Sequence, residues 1–316
     1  MAGKEVAVFG GSGFIGRYLV QKLARAGWRI RVPVRMPDSA LFLKPLGDVG
    51  QIVPMAANLR DEASISRAIA GTDAVVNLVG ILYERGRQTF EEVHHRGAAR
   101  IARLAREAGA ERLLHMSALG ADAASPSAYA RSKAAGEKAA AEHFPGATVF
   151  RPSVVFGPED DFFNRFAELA RFLPALPLIG GGHTRFQPVY VGDVAEAIAN
   201  ALHDPATRGV TYELGGPRTY SFRELMEILL AEIRRRRLLL PLPFWIASLQ
   251  GAVLSCLPKP PLTRDQVRLL KRDNVVSGTR PGLTDLGVKP TALEVVIPSY
   301  LDRYRPGGWY SATRRE

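Results

Sequence analysis

Val6-Ala7-Val8-Phe9-Gly10-Gly11-Ser12-Gly13-Phe14-Ile15-Gly16 is the stretch that decides the fold, because an apolar run leads directly into a glycine-spaced turn and then an amphipathic helix pattern. Gly11 permits a tight turn, Gly13 lacks the Cβ that would hold a pyrophosphate away, and Gly16 permits close packing of helix on strand. Free N–H groups at the helix start and the helix dipole favour a bound anion. The residues predicted to contact a dinucleotide are therefore Gly10, Gly11, Ser12, Gly13, Phe14, Ile15 and Gly16.

The second predicted strand, residues 30–34, is followed by an arginine where an acidic residue is common. In dinucleotide-binding sheets, an Asp or Glu about 20 residues beyond the glycines binds the NAD ribose. This chain has Arg35 there, and a guanidinium pairs well with a 2′-phosphate. The sequence thus favours NADP(H) over NAD(H), with Arg17 as a second candidate phosphate partner. Two alternatives stay open: Arg35 as a solvated side chain, and Asp38 as a ribose ligand.

Length and composition limit the class of protein. The chain has 316 residues and is 47% hydrophobic, which suits one large domain or one domain with a smaller lobe. Its single cysteine, Cys256, excludes an internal disulfide framework, and the sequence predicts no metal site because Cys and His are not clustered. His94 and His95 are adjacent, so their side chains are expected to point apart and to have surface or packing roles.

The charge balance is strongly basic. Lys and Arg number 42 and Asp and Glu number 31, a formal net charge of +11, which attracts acidic partners, an anionic membrane surface or nucleic acid. We expect no nucleic-acid partner, because no nucleic-acid motif is present. The first predicted strand begins at about Lys4, which leaves no room for a targeting peptide, so we expect a protein used in the compartment where it is made.

Apolar strand patterns alternate with helical patterns in the first half of the chain. Strands are predicted at 51–55, 74–78, 112–116 and 148–150, and helices from 61, over 89–108 and through 129–142. This alternation predicts an α/β fold with a doubly wound parallel Rossmann sheet, and the Pro/Gly-rich remainder predicts a smaller mixed C-terminal lobe. The predicted boundaries are 1–155 for the NAD(P)-binding Rossmann domain with a returning segment at about 186–205, 156–185 and 206–305 for the lobe, and 306–316 for a tail.

Residues 238–257 are twenty consecutive uncharged residues, and they follow four arginines at 234–237. Pro241 and Pro243 interrupt any helix, so about 14 residues remain, roughly 21 Å, which is too short to cross a bilayer. We therefore expect no transmembrane span. The open alternatives are a buried lobe helix and an interfacial or partner-docking helix, the latter beside a basic run that suits acidic lipid.

Tyr129 and Lys133 are four residues apart in a helical pattern, so their side chains share one helix face. The adjacent ammonium favours the phenolate, which is expected to lower the pKa of Tyr129 from about 10. Ser117 follows a predicted strand and is expected at the same crevice, where it can bind a carbonyl or hydroxyl group. These three are the candidate catalytic residues, and a helix-surface pair is the alternative for Tyr129 and Lys133.

Together these motifs resemble the short-chain dehydrogenase/reductase superfamily, in its extended and atypical branches with a C-terminal lobe. The resemblance covers nearly the whole chain and rests on residues 10–16, 77–80, 117, 129–133 and 151–158. In that superfamily the segment after the fourth strand and the Arg-Pro segment help to enclose the cofactor. The resemblance therefore implies cofactor contacts at Asn77, Gly80, Pro152 and Val154, in addition to Ser117, Tyr129 and Lys133.

A narrower resemblance is carried by residues 129–138, 157–166 and 186–194. They are similar to the accessory alpha-subcomplex subunit 9 family of respiratory complex I, the NADH:ubiquinone oxidoreductase, and its bacterial relatives. That family implies a tightly bound structural NADPH without established turnover, and partners among the complex I subunits of the peripheral arm and quinone region. With no transit peptide expected, a bacterial relative at the cytoplasmic side of the inner membrane is favoured over a matrix-side mitochondrial protein.

Two functions of different classes stay open. The first is an accessory, NADPH-loaded complex I subunit whose basic lobe docks beside the membrane and contacts anionic lipid. The second is a free NADP(H)-dependent extended short-chain reductase, dehydrogenase or sugar-nucleotide epimerase, in which Tyr129 is the acid/base, Lys133 its activator and Ser117 the substrate orienter. The narrower resemblance, the uncharged segment and the net charge favour the first.

Overall fold

The computed structural model describes residues 4–255, 257–258 and 260–307. Cys256 and all but the first two residues of the expected tail lie outside the described residues. In chain order the strands are β1 (Glu5–Phe9), β2 (Arg29–Val34), β3 (Ile52–Ala56), β4 (Ala74–Asn77), β5 (Arg112–Met116), β6 (Thr148–Pro152), β7 (Val155–Phe156), β8 (Ala175–Ile179), β9 (Arg185–Phe186), β10 (Val189–Tyr190), β11 (Thr211–Leu214), β12 (Tyr220–Ser221) and β13 (Leu238–Leu242). The α-helices are α1 (Phe14–Arg25), α2 (Glu62–Ile69), α3 (Gly97–Glu107), α4 (Ala128–His143), α5 (Phe163–Phe172), α6 (Val191–His203), α7 (Phe222–Glu232), α8 (Phe244–Leu254), α9 (Arg264–Leu269), α10 (Leu293–Val296) and α11 (Pro298–Leu301).

Two compact units make up the described chain. The first runs up to Pro152 and includes Val191–Leu214 and Ser277–Lys289, and the second contains Ser153–Tyr190, Gly215–Val276 and the described residues from Pro290 onward. The chain thus returns twice to the first unit. The first return supplies α6 and β11, and β11 completes the sheet by pairing with β6. The predicted boundaries do not include the second return, Ser277–Lys289.

A parallel sheet forms the centre of the first unit, with seven described strands in the order β11-β6-β5-β4-β1-β2-β3. Its central strands are continuous apolar runs, and Val6, Ala7 and Val8 are fully buried, as is typical of a parallel sheet that helices cover on both faces. The predicted α/β fold with a doubly wound Rossmann sheet is confirmed. Because parallel strands end at one edge, the residues that follow β1, β2, β4 and β5 are brought close together.

The second unit is smaller and mixed. β7 pairs with β10 and β8 with β13 in parallel, whereas β9 pairs with β12 antiparallel. Its core contains buried side chains from α5, α7 and α11, among them Phe163, Leu225 and Leu301. Buried Asp160 joins these elements, because its carboxylate accepts hydrogen bonds from Phe163 N (2.6 Å) and from the Tyr300 hydroxyl (2.7 Å). The predicted mixed C-terminal lobe is confirmed.

Residues 238–257 contain β13 and α8, and three large apolar side chains of α8 are exposed. Ala247 and Gly251 are the buried residues of this helix, and a Cβ at Gly251 would lie 2.9 Å from Arg264 N at the start of α9. The exposed large side chains of α8 are Trp245 (70%), Leu249 (59%) and Val253 (67%). Phe244, at the start of α8, also packs inward, against the cluster of Ile179, Ala247 and Val267. The buried-helix alternative is wrong, because the opposite face of α8 exposes three large apolar side chains. Among the described residues, every helix is too short or too polar to cross a membrane.

Candidate functional site

The glycine-rich turn joins β1 to α1 as predicted. Gly11 N donates to Val8 O (3.1 Å) and Gly13 N donates to Gly10 O (3.0 Å), which folds the turn back on the strand. A Cβ at Gly16 would overlap Gly10 O, so only glycine permits this approach of helix and turn. Gly13 is the N-cap of α1 and adds no side chain there. The first amides of a helix have no acceptor within it, so those of α1 are available to an anion.

A cavity of about 290 Å³ lies at the ends of β1, β2, β3 and β4. Gly10 and Ser12 of the turn line it, and so does Arg35, which follows β2. Two further exposed arginines line the same cavity: Arg60 after β3 and Arg87 in the loop after β4. Within the part of the chain that the structure describes, none of these three guanidiniums has a carboxylate at ion-pair distance. Glu92 also lines the cavity but forms an ion pair with Arg100, so the three arginines give the wall a net positive charge.

The other two candidates for this region are placed differently. Asp38 is exposed and does not belong to the described wall of the cavity. Arg17, on α1, donates from Nε to Gly13 O (3.4 Å), and its guanidinium lies 5.1 Å from the centre of the Phe42 ring. Sequence reasoning missed Arg60 and Arg87. The position of Arg60, shortly after a predicted strand, is a signal that could have found it, whereas a loop position like that of Arg87 carries no such signal.

The residues after β4 form the next part of the site. Asn77 ends β4, where its Oδ1 accepts from Val79 N (3.1 Å) and its Nδ2 lies 3.2 Å from His115 Nδ1. A Cβ at Gly80 would lie 3.2 Å from Lys133 Nζ, so a glycine at this position leaves room for the ammonium. The Asn77 side chain therefore fixes the backbone at the end of β4, and Gly80 leaves space for Lys133 because it has no side chain.

Ser117, Tyr129 and Lys133 are brought to the same edge of the sheet. Ser117 directly follows β5, is 3% exposed, and its Oγ has no hydrogen-bond partner in the described protein. Lys133 Nζ donates to Met116 O at the end of β5 (3.2 Å) and lies 5.9 Å from the centre of the Tyr129 ring. Lys133 is 5% exposed, so the helix-surface alternative is wrong for it.

Burial controls the ionisation of this cluster. Burial raises the pKa of Tyr129 to about 12, and it lowers the pKa of Lys133 to about 8 against the opposing effect of Glu137. Burial, followed by the charge of Lys133, lowers the pKa of His115 to about 3. The expected lowering of the Tyr129 pKa is therefore wrong for this state, because desolvation outweighs an ammonium at this distance. Tyr129 is a neutral phenol at pH 7 and can donate a hydrogen bond.

Pro152 and Val154 lie in separate units. Pro152 ends β6, pairs with Leu214 of β11 and accepts a hydrogen bond from Leu119 N (3.0 Å). Val154 belongs to the second unit, where its N donates to Asn274 Oδ1 (3.0 Å). Cofactor contacts at these two positions stay predictions.

The residues of the first unit fit a dinucleotide in charge and hydrogen bonding. The turn offers amide donors beside a glycine that adds no bulk, and the arginine-lined cavity offers positive charge at the end of β2. The buried Ser117 hydroxyl lacks a partner that a bound group would supply. These features lie along one edge of a parallel sheet, which is where such sheets bind ligands.

Comparison with known proteins agrees with this fold. A sequence profile of the NAD dependent epimerase/dehydratase family matches residues 6–215. The UDP-glucose 4-epimerase of Thermus thermophilus, solved in complex with NAD, shares the fold with a TM-score of 0.71 and 22% identity, over 95% of this chain and 98% of that one. The chain belongs to the NAD dependent epimerase/dehydratase family.

Two relatives indicate a narrower family for this chain. Both are named NADH dehydrogenase (ubiquinone) 1 alpha subcomplex subunit 9, mitochondrial. The Arabidopsis thaliana protein is 42% identical, over 98% of this chain and 80% of its own length. The Mus musculus protein is 38% identical, over 100% of this chain and 84% of its own length. The resemblance to this subunit family is confirmed, whereas the expectation of a bacterial relative is not borne out, since both relatives are mitochondrial.

Proposed function

We propose that this protein is an accessory subunit of respiratory complex I and holds NADPH as a structural element. The observation that carries the proposal is the 42% identity to the plant alpha subcomplex subunit 9 across 98% of the chain. In this role the protein supports assembly or stability of the peripheral arm near the quinone site. It is peripheral to the membrane that contains the complex, and its partners are neighbouring complex I subunits.

The geometry of the first unit supports the nucleotide part of the proposal. Residues 10–16 hold the pyrophosphate through backbone N–H groups. Arg35, Arg60 and Arg87 line the adjoining cavity and favour the extra phosphate of NADP(H) over the bare ribose of NAD(H). Ser117, Tyr129 and Lys133 hydrogen-bond the nicotinamide half. The bound nucleotide supplies hydride chemistry in an active enzyme, and here it serves to order the unit.

The second unit supports docking against an anionic lipid surface. Trp245, Leu249 and Val253 are spaced at four-residue intervals and are all more than half exposed, so they form one apolar face of α8. The neighbouring strand β13 adds Leu238 and Leu240, whose side chains are also more than half exposed. The arginine run at 234–237 directly precedes this strand. An apolar face beside basic groups is typical of helices that lie in the interface of an anionic membrane.

The proposal is tested by purifying complex I from the native membranes of the source cells with an affinity tag on another subunit. We expect this chain in the purified complex, and we expect mass spectrometry of the released ligand to identify NADPH or NADP⁺. Absence of the chain from an intact, active complex would overturn the subunit assignment. Release of NAD(H) alone would overturn the cofactor assignment and leave the subunit assignment standing.

A second candidate function is a free NADP(H)-dependent reductase, dehydrogenase or epimerase. The observation that favours it is the gathering of Ser117, Tyr129 and Lys133 at one sheet edge, with the Ser117 hydroxyl buried and unpaired in the described protein. With Tyr129 a neutral phenol, the cluster is set to donate a proton to a carbonyl. Substrate-dependent oxidation of NADPH by the isolated protein, lost in Tyr129→Phe, would establish this function.

A further inference from the structure

A buried histidine connects three elements of the candidate site, and neither the sequence motifs nor the proposed chemistry uses it. His94 lies in a π-helical turn, Glu91–Arg96, that leads into α3, and it is 2% exposed. Single π-helical turns insert one extra residue and occur frequently at functional sites. The adjacency of His94 and His95 in the sequence predicts surface or packing roles for both. The surface role is wrong for His94, since its side chain is enclosed.

Hydrogen bonds determine which ring nitrogen of His94 carries the proton. Nε2 accepts from Ile81 N (2.9 Å), so this nitrogen is unprotonated and Nδ1 carries the hydrogen. Nδ1 lies 2.8 Å from Ser132 Oγ and donates to it. Ser132 Oγ in turn donates to Tyr129 O (2.7 Å). The chain of donors therefore runs from the loop after β4, through His94, to the first turn of α4.

Ring contacts make the same connection. The His94 ring stacks on Phe90, with centroids 5.4 Å apart and planes at 22°. Tyr129 meets His94 edge to face, with centroids 5.5 Å apart, and meets Phe90 in the same way at 5.8 Å. Burial, together with the charges of Lys133 and His115, lowers the pKa of His94 to about 2, so the ring is neutral at physiological pH. Both ring nitrogens of His94 form hydrogen bonds, and the ring itself contacts Phe90 and Tyr129.

We propose that His94 is a positioning residue that ties the loop after β4 to Tyr129 and so orients the nicotinamide half of the bound dinucleotide. The inference rests on the proposed nucleotide role and applies equally to a structural or a reacting cofactor. Gly80 and Ile81 belong to the loop that His94 holds, and a Cβ at Gly80 would lie 3.7 Å from His94 Nε2. The arginine-lined cavity, which we assign to the adenosine half, is lined by Gly80, Ile81, Glu92 and Val93 on this side but not by His94 itself. The His94 ring contacts Tyr129 instead. His94 is therefore expected to act on one half of the ligand more than on the other.

The test compares two probes on the nucleotide-free full chain: NADPH, and 2′,5′-ADP, which has the phosphorylated adenosine half alone. His94→Phe keeps a stacking ring and removes both hydrogen bonds. We expect its Kd for NADPH to rise about tenfold, from the loss of two hydrogen bonds, while its Kd for 2′,5′-ADP changes less than about twofold. His94→Gln retains a donor and an acceptor and should recover part of the NADPH affinity. His95→Phe is the matched control, because the His95 side chain is 40% exposed and bonds only Glu91 among the described side chains. It should change neither constant.

Equal weakening of both probes, or no change in either, would overturn the positioning role. If His94→Phe does not fold, Ser132→Ala carries the test, because it breaks the relay beyond the imidazole and should weaken NADPH selectively. A wild-type protein that binds neither probe would overturn the proposed nucleotide role itself. If the wild-type protein binds both probes and the His94 and Ser132 variants bind each probe with the wild-type Kd, this inference alone is overturned.

Discussion

Lys133 is a buried cationic side chain. Its Nζ donates to the Met116 carbonyl rather than to a carboxylate, and Glu137, four residues along α4, forms its bidentate ion pair with Arg151. The folded protein therefore binds the Lys133 proton less tightly than the unfolded chain does. Such a group lowers the stability of the fold, and groups of this kind are common at functional sites.

This difference predicts a pH-dependent stability. The pKa of Lys133 is about 8 in the folded protein against an ordinary value of 10.5, so the buried charge destabilises the fold below pH 8, and this effect disappears as the pH rises from 8 to 10.5. Nucleotide-free Lys133→Met should be more stable than wild type at pH 7, by up to about 3 kcal/mol. Urea unfolding between pH 7 and 10.5 measures the difference, which should shrink with pH. A difference that stays constant would contradict the lowered pKa.

Arg35 predicts the coenzyme preference. Replacing a charge-assisted contact to the 2′-phosphate by a repulsive carboxylate, in Arg35→Glu, should lower the preference for NADPH over NADH by about tenfold to a hundredfold. Titration of the two nucleotides by fluorescence measures both constants. Arg29→Glu is the matched control, since it makes the same charge change at the opposite end of β2. An unchanged ratio in Arg35→Glu would leave Arg35 as a solvated side chain.

At the scale of elements, α4 and α8 both bury small residues but differ in the residues that they expose. α4 turns small residues, Ala130, Gly136 and Ala140, inward and in doing so carries Lys133 to the strand edge. α8 also turns its small residues inward, but its outward face carries large apolar side chains instead of charges. Scattered exposed apolar residues are normal on a protein surface, whereas a contiguous face of them indicates a binding surface.

The face of α8 predicts membrane binding by the isolated protein. Leu249→Lys places a charge in the middle of that face and should weaken binding to vesicles containing phosphatidylserine by tenfold or more, since burying one leucine contributes about 1.5–3 kcal/mol. Sedimentation with vesicles measures the partition. Val295→Lys, at another highly exposed apolar residue of the same unit, should have little effect. Equal binding by both variants, or binding to neutral vesicles alone, would contradict the docking surface.

At the scale of the whole molecule, the net charge of +11 can be interpreted only once the positions of the charged residues are known. Many arginines form ion pairs within the described protein, such as Arg31 with Glu5, Arg100 with Glu92 and Arg151 with Glu137. The guanidiniums that line the cavity are free of such pairs in the described residues. Composition alone therefore indicated an acidic partner, whereas the structure shows which arginines are ion-paired and which line the cavity of the first unit.

The sequence by itself determined the α/β class, the glycine turn and the order of the site residues, because each depends on local periodicity or on spacing within one element. Residues 10–16 and the pair Tyr129 and Lys133 are of this kind. Only the tertiary structure decided the burial of Lys133 and the raised pKa of Tyr129, and only it placed His94 beside Ile81 and Ser132. These contacts join residues that are up to 38 positions apart, and desolvation depends on everything packed around a group rather than on its neighbours in the chain.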